Sequence, residues 1–285
     1  MSLKKWATAT AAALSLALAL TGCAVGAPAE PAASGSAAAA EEKTEIRYGK
    51  AQGPYTVLFE EAIIPIMEED GYTFAKTDFS DLLQNDLALN EKAIDVNVEQ
   101  HQAYATNFNE NQNGKLTLIG PIPTVPAGLF SGRHDSLDAV QDGMTVAVPN
   151  DAANTARAYA LLQKAGWIKL DPAKDIATVT KADIVENPKN LDFQELVNTT
   201  VAATLPDFDY GVITGSIVYN AKIDPATALL QEDILPHLIL GVAVHEDNKD
   251  AQWAQDIVAA YKSDEFKAYM EENNTGLWWI PEELK

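Results

Sequence analysis

Two spacings of apolar residues alternate along the chain from about residue 46 to its end. Short runs such as Ile46-Arg47-Tyr48-Gly49 have the composition of strands, whereas apolar residues recur at helical spacing from Val57 to Met67. Repeated alternation of strand-like with helix-like segments predicts an α/β fold whose sheets are joined by right-handed crossovers.

The same reasoning assigns most of the remaining elements. Asp81 is the expected N-cap of a helix, since a side-chain oxygen at that position accepts a hydrogen bond from the first turn. Asn154 and Thr155 are expected to open another helix, which places Arg157 in its first turn. Further strands are predicted at 72–79, 93–98, 116–119, 127–131, 144–148, 182–185, 210–213 and 238–244, and further helices at 81–90, 101–109, 154–165, 249–261 and 264–272.

Polar clusters follow two of the predicted strands. The residues Glu-Gln-His at 99–101 come directly after the strand at 93–98, and a second cluster at 150–157 follows the strand at 144–148. In α/β sheets, ligands collect at the carboxyl ends of strands and in the cleft between two lobes. We therefore expect both clusters to line one ligand site.

Arg157 carries the most specific chemistry in these clusters. A cation in the first turn of a helix opposes the helix dipole unless an anion meets it. A free carboxylate fits this role, because a guanidinium group binds it through two charge-assisted hydrogen bonds. The alternative is an ordinary ion pair with a nearby acid such as Asp151.

Motifs give little support to metal binding or catalysis. The four histidines, His101, His134, His237 and His245, form neither an H-x-H nor an H-E-x-x-H pair, which leaves His101 with Glu99 as the candidate metal ligands. The sequence contains no G-x-S-x-G motif and no Walker glycine loop. The same Glu-His pair is the candidate acid and base of an enzyme. The motifs therefore predict neither a cofactor nor an enzyme.

The first 22 residues have the organisation of a signal peptide. Two lysines precede an apolar run at 7–20, which is too short and too rich in alanine for a membrane span. The run leads into the letters LTGC, which resemble the bacterial lipobox and predict cleavage before Cys23 with a lipid on its thiol. The alternative is a plain signal peptide. Cys23 is the only cysteine, so the sequence excludes a disulfide framework.

Composition limits the possible partners. Small residues and proline dominate the segment after Cys23, so residues 23–43 are expected to form a flexible tether. The formal net charge of −21 argues against nucleic acid and against an anionic lipid surface as partners. Contact with the cell membrane, on its extracytoplasmic face, is instead expected through the lipid on Cys23.

Four segments together give the body of the chain a family resemblance. They are DVNVEQHQAY at 95–104, the stretch at 126–170 that contains VPNDAANTARAYALLQKAGWIKL, DIVENPKNLDFQEL at 183–196, and HEDNKDA at 245–251. From about Ile46 to Tyr269 the chain resembles the NlpA family, the methionine-binding lipoproteins of ABC importers. The resemblance implies two α/β lobes of periplasmic-binding-protein type. Such lobes close on one amino acid and deliver it to a membrane permease and its ATPase.

The resemblance also implies lobe and site assignments. Lobe 1 is predicted to comprise 44–125 plus 238–285, and lobe 2 to comprise 126–237. The hinge between them is predicted near 124–127 and 235–238. Arg157 is implied to bind the carboxylate of the ligand. The other residues predicted to contact the ligand in the cleft are Tyr55, Glu99, Gln100, His101, Tyr104, Asn154 and Thr214.

Four positions depart from the family pattern, one of them being Ala103, which stands where the family has a proline before the tyrosine. Glu99 stands where the family has an aromatic residue, and Thr214 and Leu240 stand where it has asparagines. Glu99 is expected to set selectivity by binding the ligand ammonium or a cationic side chain of the ligand. The alternative is that its side chain points toward solvent. The main prediction is a receptor for methionine or for a related amino acid with altered specificity. The alternatives are a receptor for a polar or cationic amino acid or small peptide, a metal-ion receptor, and a surface lipoprotein without a transport role.

Overall fold

The computed structural model describes residues 43–51 and 53–285. The predicted signal peptide, the predicted lipidation at Cys23 and the predicted tether up to residue 42 lie outside these residues. Within the described ranges, no helix has the length and apolar character needed to cross a bilayer.

Strands and helices alternate through the described residues, as the pattern of apolar positions predicts. The strands are β1 (Glu45–Lys50), β2 (Thr73–Asp78), β3 (Val96–Asn97), β4 (Leu116–Pro121), β5 (Gly128–Ser131), β6 (Thr145–Pro149), β7 (Lys169–Leu170), β8 (Ile184–Glu186), β9 (Asp192–Leu196), β10 (Tyr210–Ile213), β11 (Leu230–Gln231) and β12 (Gly241–His245). The helices are α1 (Pro54–Leu58), α2 (Ile64–Glu69), α3 (Leu82–Asn90), α4 (Gln102–Gln112), α5 (Ala152–Lys164), α6 (Asn198–Thr204), α7 (Gly215–Asn220), α8 (Gln252–Ala260) and α9 (Asp264–Asn273). A π-helical segment, Phe59–Ile63, joins α1 to α2.

The first sheet has the strand order β2-β1-β3-β12-β4. β1 runs parallel to β2 and β3, whereas β12 runs antiparallel to β3 and β4. Alternate residues of β12 face opposite sides, so Val242 and Val244 join the core beneath α8, and Ala243 joins a smaller core with Phe108 of α4. Both faces of this sheet are therefore covered.

The second sheet has the strand order β11-β5-β10-β6-β9. β6 runs parallel to β9 and β10, and β5 runs antiparallel to β10 and β11. Val146 and Val148 of β6 pack with Tyr159 of α5, whereas Ala147 packs with Val201 of α6 on the other face. This packing holds α5 against the sheet. Because α5 follows β6 directly, the second polar cluster lies at the carboxyl end of that strand.

The two sheets come from separate parts of the sequence. The first is drawn from 45–121 and 241–245, and the second from 128–231. The hinge proposed from the sequence, near 124–127 and 235–238, lies between these stretches. The lobe boundaries themselves remain a prediction.

The end of the chain contacts the first of these connections. Thr124 exchanges two backbone hydrogen bonds of 2.9 Å with Trp279. The neighbouring Trp278 packs its ring edge-on against Tyr55 of α1, with the ring centroids 5.6 Å apart. The last residues therefore form part of the structure around the connection between the sheets.

Two predicted strand boundaries are wrong. The strand predicted at 93–98 is reduced to β3, because the carboxylate of Asp95 accepts a hydrogen bond from the backbone N–H of Arg47 at 2.8 Å in place of a strand partner. The strand predicted from residue 238 begins only at Gly241, because Pro236–Leu238 forms a 3₁₀ turn.

Helix starts were predicted with mixed success. Asp81 is confirmed as the N-cap of α3, since its carboxylate accepts a hydrogen bond from the backbone N–H of Gln84 at 2.9 Å. The predicted start of α5 is wrong, because Asp151 is the N-cap and the helix begins at Ala152. Arg157 consequently lies in the second turn, where the dipole argument used for a first-turn cation does not apply.

Candidate functional site

A cavity of about 760 Å³ lies between elements of the two sheets. It receives the ends of β1, β3, β6, β9 and β10 and the starts of the helices that follow them. All eight ligand contacts predicted from the sequence line it, namely Tyr55, Glu99, Gln100, His101, Tyr104, Asn154, Arg157 and Thr214. The structure therefore brings the two strand-end clusters together, although their role in binding a ligand remains a prediction.

Arg157 is buried and already has a carboxylate partner. Its Nε donates to Oε2 of Glu232 at 2.6 Å, and its Nη2 donates to Oε1 of the same carboxylate. Burial lowers the pKa of the guanidinium, but the charge and hydrogen bonds of Glu232 more than offset this, so the pKa lies above its ordinary value. The ion pair considered as the alternative is therefore present, although its partner is Glu232 and not Asp151. Sequence reasoning missed Glu232, which is 75 residues away along the chain.

The remaining edge of Arg157 faces a small cluster of polar groups. Its Nη1 contacts Oδ1 of Asn154 at 3.4 Å. Asp151 holds that amide in place, because its Oδ1 accepts hydrogen bonds from the backbone N–H and from the Nδ2 of Asn154, both at 3.0 Å. The amide oxygen of Asn154 is therefore turned toward the guanidinium.

His101 reaches the same amide oxygen from the other sheet. Its Nδ1 accepts a hydrogen bond from the backbone N–H of Tyr104 at 3.1 Å and caps α4, so the ring proton sits on Nε2. Nε2 lies 3.4 Å from Oδ1 of Asn154. Burial, followed by the nearby charge of Arg157, lowers the pKa of His101 to about 3. His101 is thus a neutral hydrogen-bond donor at physiological pH.

We expect the imidazole of His101 not to titrate between pH 5 and pH 8. Its folded-state pKa lies below the ordinary 6.5, so protonation requires a pH well below that range. Nitrogen-15 NMR of the histidine rings should show the Nε2–H tautomer with unchanged shifts over this interval. The resonance is assigned by its loss in His101→Gln. An inflection of that resonance near pH 6.5 would contradict the buried, neutral state.

Glu99 lines the cavity, but protein donors occupy its carboxylate. Oε1 accepts from the backbone N–H of Ala51 at 3.1 Å and from the hydroxyl of Thr56, and Oε2 accepts from the same N–H at 3.0 Å and from Nδ2 of Asn85 at 3.1 Å. Burial raises the pKa of Glu99, and these donors partly oppose the rise. The solvent-facing alternative is wrong, because the residue is only 9% exposed. Its role in selectivity remains a prediction.

A buried polar group extends behind Glu99, away from the cavity. Oδ1 of Asp86 accepts from Nδ2 of Asn97 at 2.9 Å, whereas Oδ2 of Asp86 has no partner among the described residues. Burial raises the pKa of Asp86 to about 8, while the bond from Asn97 opposes the rise and the charge of Glu99 adds to it. Asp86 is therefore protonated at neutral pH.

Several amides on the cavity wall lack a partner. Gln100 is 1% exposed, and neither its nitrogen nor its oxygen has a hydrogen-bond partner within the described part of the chain. Asn198 donates from Nδ2 to Oγ1 of Thr214 at 3.0 Å, but its buried Oδ1 has no partner there, and the same holds for Nδ2 of Asn220. Buried polar atoms are almost always hydrogen-bonded, so these unpaired atoms in residues beside the cavity are unusual.

Asn198 and Asn220 were missed by sequence reasoning. Asn198 follows the carboxyl end of β9, so it occupies the same kind of position as the two clusters that were recognised. The letters VNTT therefore contain a polar cluster that follows a strand. It can be identified only once β9 has been predicted. Asn220 ends α7, a short helix that the apolar spacing did not indicate.

The two tyrosines of the predicted site have different surroundings. The hydroxyl of Tyr55 accepts from the backbone N–H of Val125 at 3.3 Å, and burial raises the pKa of that hydroxyl to about 12. Tyr104 lies edge-on to the ring of His101, with the centroids 6.3 Å apart. Tyr55 therefore ties the cavity wall to the predicted hinge, whereas Tyr104 flanks the histidine donor.

The cavity offers no metal centre. Across the described ranges, no three His, Cys, Asp or Glu side chains are grouped closely enough to hold a metal ion. The candidate metal ligands from the sequence were His101 and Glu99. Their side chains contact different partners: His101 contacts Asn154, and Glu99 contacts the backbone of Ala51.

Two mixed sheets with a cavity between them, lined by residues of both, are the architecture of the two-lobed solute-binding proteins. The sequence model of the NlpA lipoprotein family matches residues 46–279. The chain therefore belongs to the NlpA lipoprotein family.

Named relatives and solved structures agree with this assignment. The D-methionine-binding lipoprotein MetQ of Salmonella typhi is 32% identical over 229 residues, which cover 79% of this chain and 84% of that protein. A nutrient-binding protein from Burkholderia cenocepacia, solved with bound methionine, has a TM-score of 0.76 and 30% identity and covers 82% of this chain and 99% of its own. A periplasmic substrate-binding protein of an ABC transporter from Coxiella burnetii has a TM-score of 0.77 and 30% identity, with 83% and 100% covered.

Proposed function

We propose that this protein is an extracytoplasmic receptor that binds an amino acid, methionine or a related one, for import by an ABC transporter. The observation that carries the proposal is the convergence of two donors from different sheets. Nε2 of His101 and Nη1 of Arg157 each lie 3.4 Å from the same oxygen, that of Asn154. Both contacts are long, so a ligand carboxylate placed between the donors makes the shorter, charge-assisted bonds that they lack.

Ion pairing with Glu232 supports this use of Arg157. The pair holds the guanidinium by Nε and Nη2, so that its orientation is fixed before a ligand arrives. Preorganised donors bind a ligand with a smaller loss of conformational entropy. A ligand carboxylate that binds between His101 and Arg157 also joins elements of the two sheets. It therefore favours the closed arrangement by its higher affinity for that form.

Anchoring and transport complete the proposal. Cys23 follows a segment with the features of a lipoprotein signal, and the relative from Salmonella typhi is itself a lipoprotein. A lipid on Cys23 would keep the receptor at the membrane surface, where a permease and its ATPase accept the ligand. The relative from Coxiella burnetii serves an ABC transporter, which supports the same partners here. The chemistry of the cavity is that of binding, since its one histidine is a neutral donor held by a backbone N–H.

A ligand screen tests the proposed function. Native mass spectrometry of freshly purified protein should show a bound mass that fits an amino acid or dipeptide. A panel of the twenty amino acids and simple dipeptides should then raise the melting temperature, because a ligand that binds only the folded state stabilises it. The matched control is Arg133→Lys, a change at a surface arginine away from the cavity that should leave the response intact. A panel in which no compound raises the melting temperature would refute the proposal.

A further inference from the structure

The charges in the cavity wall are unequal in number. Arg157 is the only cationic side chain among the described residues that line the cavity. The acids of the same wall are Asp81, Glu99 and Asp151. Arg157 already gives its Nε and Nη2 to Glu232, so its charge does not compensate these acids. A zwitterion that brings a carboxylate to Arg157 also brings an ammonium group, which needs an acceptor in this wall.

Two of the three acids are held by donors away from the proposed carboxylate site. Both oxygens of Glu99 accept from protein donors behind the wall, as described above. The carboxylate of Asp81 caps α3, because it accepts from the backbone N–H of Gln84 at 2.9 Å and from the hydroxyl of Ser80 at 2.8 Å. The hydrogen bonds of these two carboxylates therefore do not connect them to Arg157 or to its neighbours.

Asp151 lies beside the proposed carboxylate site. Within the described chain, its carboxylate accepts from the backbone N–H and the Nδ2 of Asn154, at 3.0 and 3.1 Å. The other end of the same amide, Oδ1, lies 3.4 Å from Nε2 of His101 and 3.4 Å from Nη1 of Arg157. Because the oxygen and nitrogen of an amide are about 2.3 Å apart, the Asp151 carboxylate lies within about 5.5 Å of that oxygen.

Binding of a ligand carboxylate changes the partners of Asn154. The carboxylate takes the N–H groups of His101 and Arg157, so Oδ1 of Asn154 loses the two donors that it contacts in the free protein. An α-ammonium supplies a replacement, since standard bond lengths place its nitrogen about 2.5 Å from the carboxylate carbon. One of its N–H groups can be donated to Oδ1 of Asn154 and another to the carboxylate of Asp151.

We infer that Asp151 and Oδ1 of Asn154 together bind the α-ammonium of the ligand, so that the site selects zwitterions over plain carboxylic acids. The inference rests on the proposed function, because Arg157 holds the carboxylate of the same ligand. It gives Asp151 a second role besides capping α5. It also assigns the ammonium to Asp151 rather than to Glu99, whose oxygens are occupied.

Titration calorimetry with four pairs of compounds tests this assignment. L-methionine, L-leucine, L-glutamine and L-lysine are each compared with the acid that lacks only the α-amino group. Any co-purified ligand is first removed by unfolding and refolding. We expect the amino acid of highest affinity to bind the wild-type protein at least about a hundredfold more tightly than its deamino acid, because the ammonium donates charge-assisted hydrogen bonds.

Asp151→Asn separates ammonium binding from helix capping, because asparagine keeps an oxygen that caps α5 but carries no charge. The variant should lower the preference for the amino acid over its deamino acid at least about tenfold. This change should come from weaker binding of the amino acid, with little change for the deamino acid. Asp81→Asn is the matched control, since it removes one charge from the N-cap of α3 in the same cavity wall and should leave the preference intact.

Four outcomes would contradict the assignment of the ammonium. Equal binding of both members of the pair by the wild type would overturn it, as would an unchanged preference in Asp151→Asn or a loss of affinity of equal size for both members. A lowered preference of the same size in Asp81→Asn would show that the overall charge of the wall, and not Asp151, sets the preference. In each of these cases the proposed function stands. The absence of binding by all four amino acids would overturn both.

Discussion

Asp86→Asn should stabilise the protein at neutral pH by an amount on the order of 4 kcal/mol, while leaving its stability near pH 4 unchanged. The side chain is completely buried, and its Oδ2 has no partner among the described residues. Asparagine has the same shape as the protonated carboxyl and keeps the oxygen that accepts from Nδ2 of Asn97. The substitution therefore removes the ionisable group and retains the shape of the side chain and this hydrogen bond.

The sign follows from the two protonation equilibria. In the unfolded chain Asp86 loses its proton near pH 4, whereas burial raises its pKa to about 8 in the folded protein. Between these values the folded state binds more protons than the unfolded state. The free energy of unfolding therefore falls as the pH rises from about 4 toward 8 and levels off above that. Asparagine does not titrate, so the variant lacks this fall.

Urea unfolding of both proteins at pH 4, 5, 6, 7 and 8 measures the difference. The gap between Asp86→Asn and the wild type should widen steadily with pH. Asp250→Asn is the matched control, since Asp250 is exposed and should give a gap that is small at every pH. A gap that stays constant with pH, or that favours the wild type at pH 8, would show that Asp86 is ionised in the folded protein.

Arg157 and Glu232 should respond to substitution in opposite directions when binding is measured. Arg157→Ala should lower the free energy of unfolding by about 3–5 kcal/mol, because it leaves the Glu232 carboxylate buried without a counter-charge. It should also weaken ligand binding by more than about a hundredfold, through the loss of a charge-assisted contact. Without Arg157, the proposed site for the ligand carboxylate is lost.

Glu232→Gln should likewise destabilise the free protein, since it leaves the Arg157 cation buried without a carboxylate. The carboxylate of the ligand then supplies the missing charge. Glutamine keeps an oxygen that accepts a hydrogen bond from the guanidinium, so part of its fixed orientation is retained. We therefore expect the unmet positive charge to dominate and this variant to bind the ligand more tightly than the wild type, by about tenfold or more.

Titration calorimetry and urea unfolding of both variants separate these effects. Arg133→Ala serves as the control, because the contacts of that arginine within the described residues are with the backbone carbonyls of Pro206 and Asp207 near the surface. Loss of affinity in Glu232→Gln as large as in Arg157→Ala would mean that the ligand does not meet the guanidinium as a counter-ion. Unchanged affinity in Arg157→Ala would remove this residue from the site altogether.

The position of the site could be predicted from the sequence because it depends on strand ends. The residues at 99–101 follow β3 and those at 150–157 follow β6, and both sets line the cavity. Sheet geometry brings such ends together without any knowledge of side-chain packing. The helix caps at Asp81 and Asp151 are also local features, although only the first was recognised as a cap.

Long-range partners were beyond sequence reasoning. Glu232 follows the two-residue strand β11, and nothing local distinguishes it from a surface acid. Asp86 lies in α3 among polar residues and becomes buried only because α3 packs against β1 and β3. β9 was missed because its sequence, DFQEL, is mostly polar and it forms the edge of its sheet. Asn198, which lies just beyond the carboxyl end of β9, was missed for the same reason.

The backbone bridge between Thr124 and Trp279 has a practical consequence for handling this protein. Trp278 and Trp279 contribute to the fold, because Trp279 pairs with the segment that connects the two sheets and Trp278 packs on Tyr55. Affinity tags and reporter fusions therefore belong after Lys285 with a spacer. Removing Trp278 and Trp279 would remove the contacts that support Tyr55 in the cavity wall.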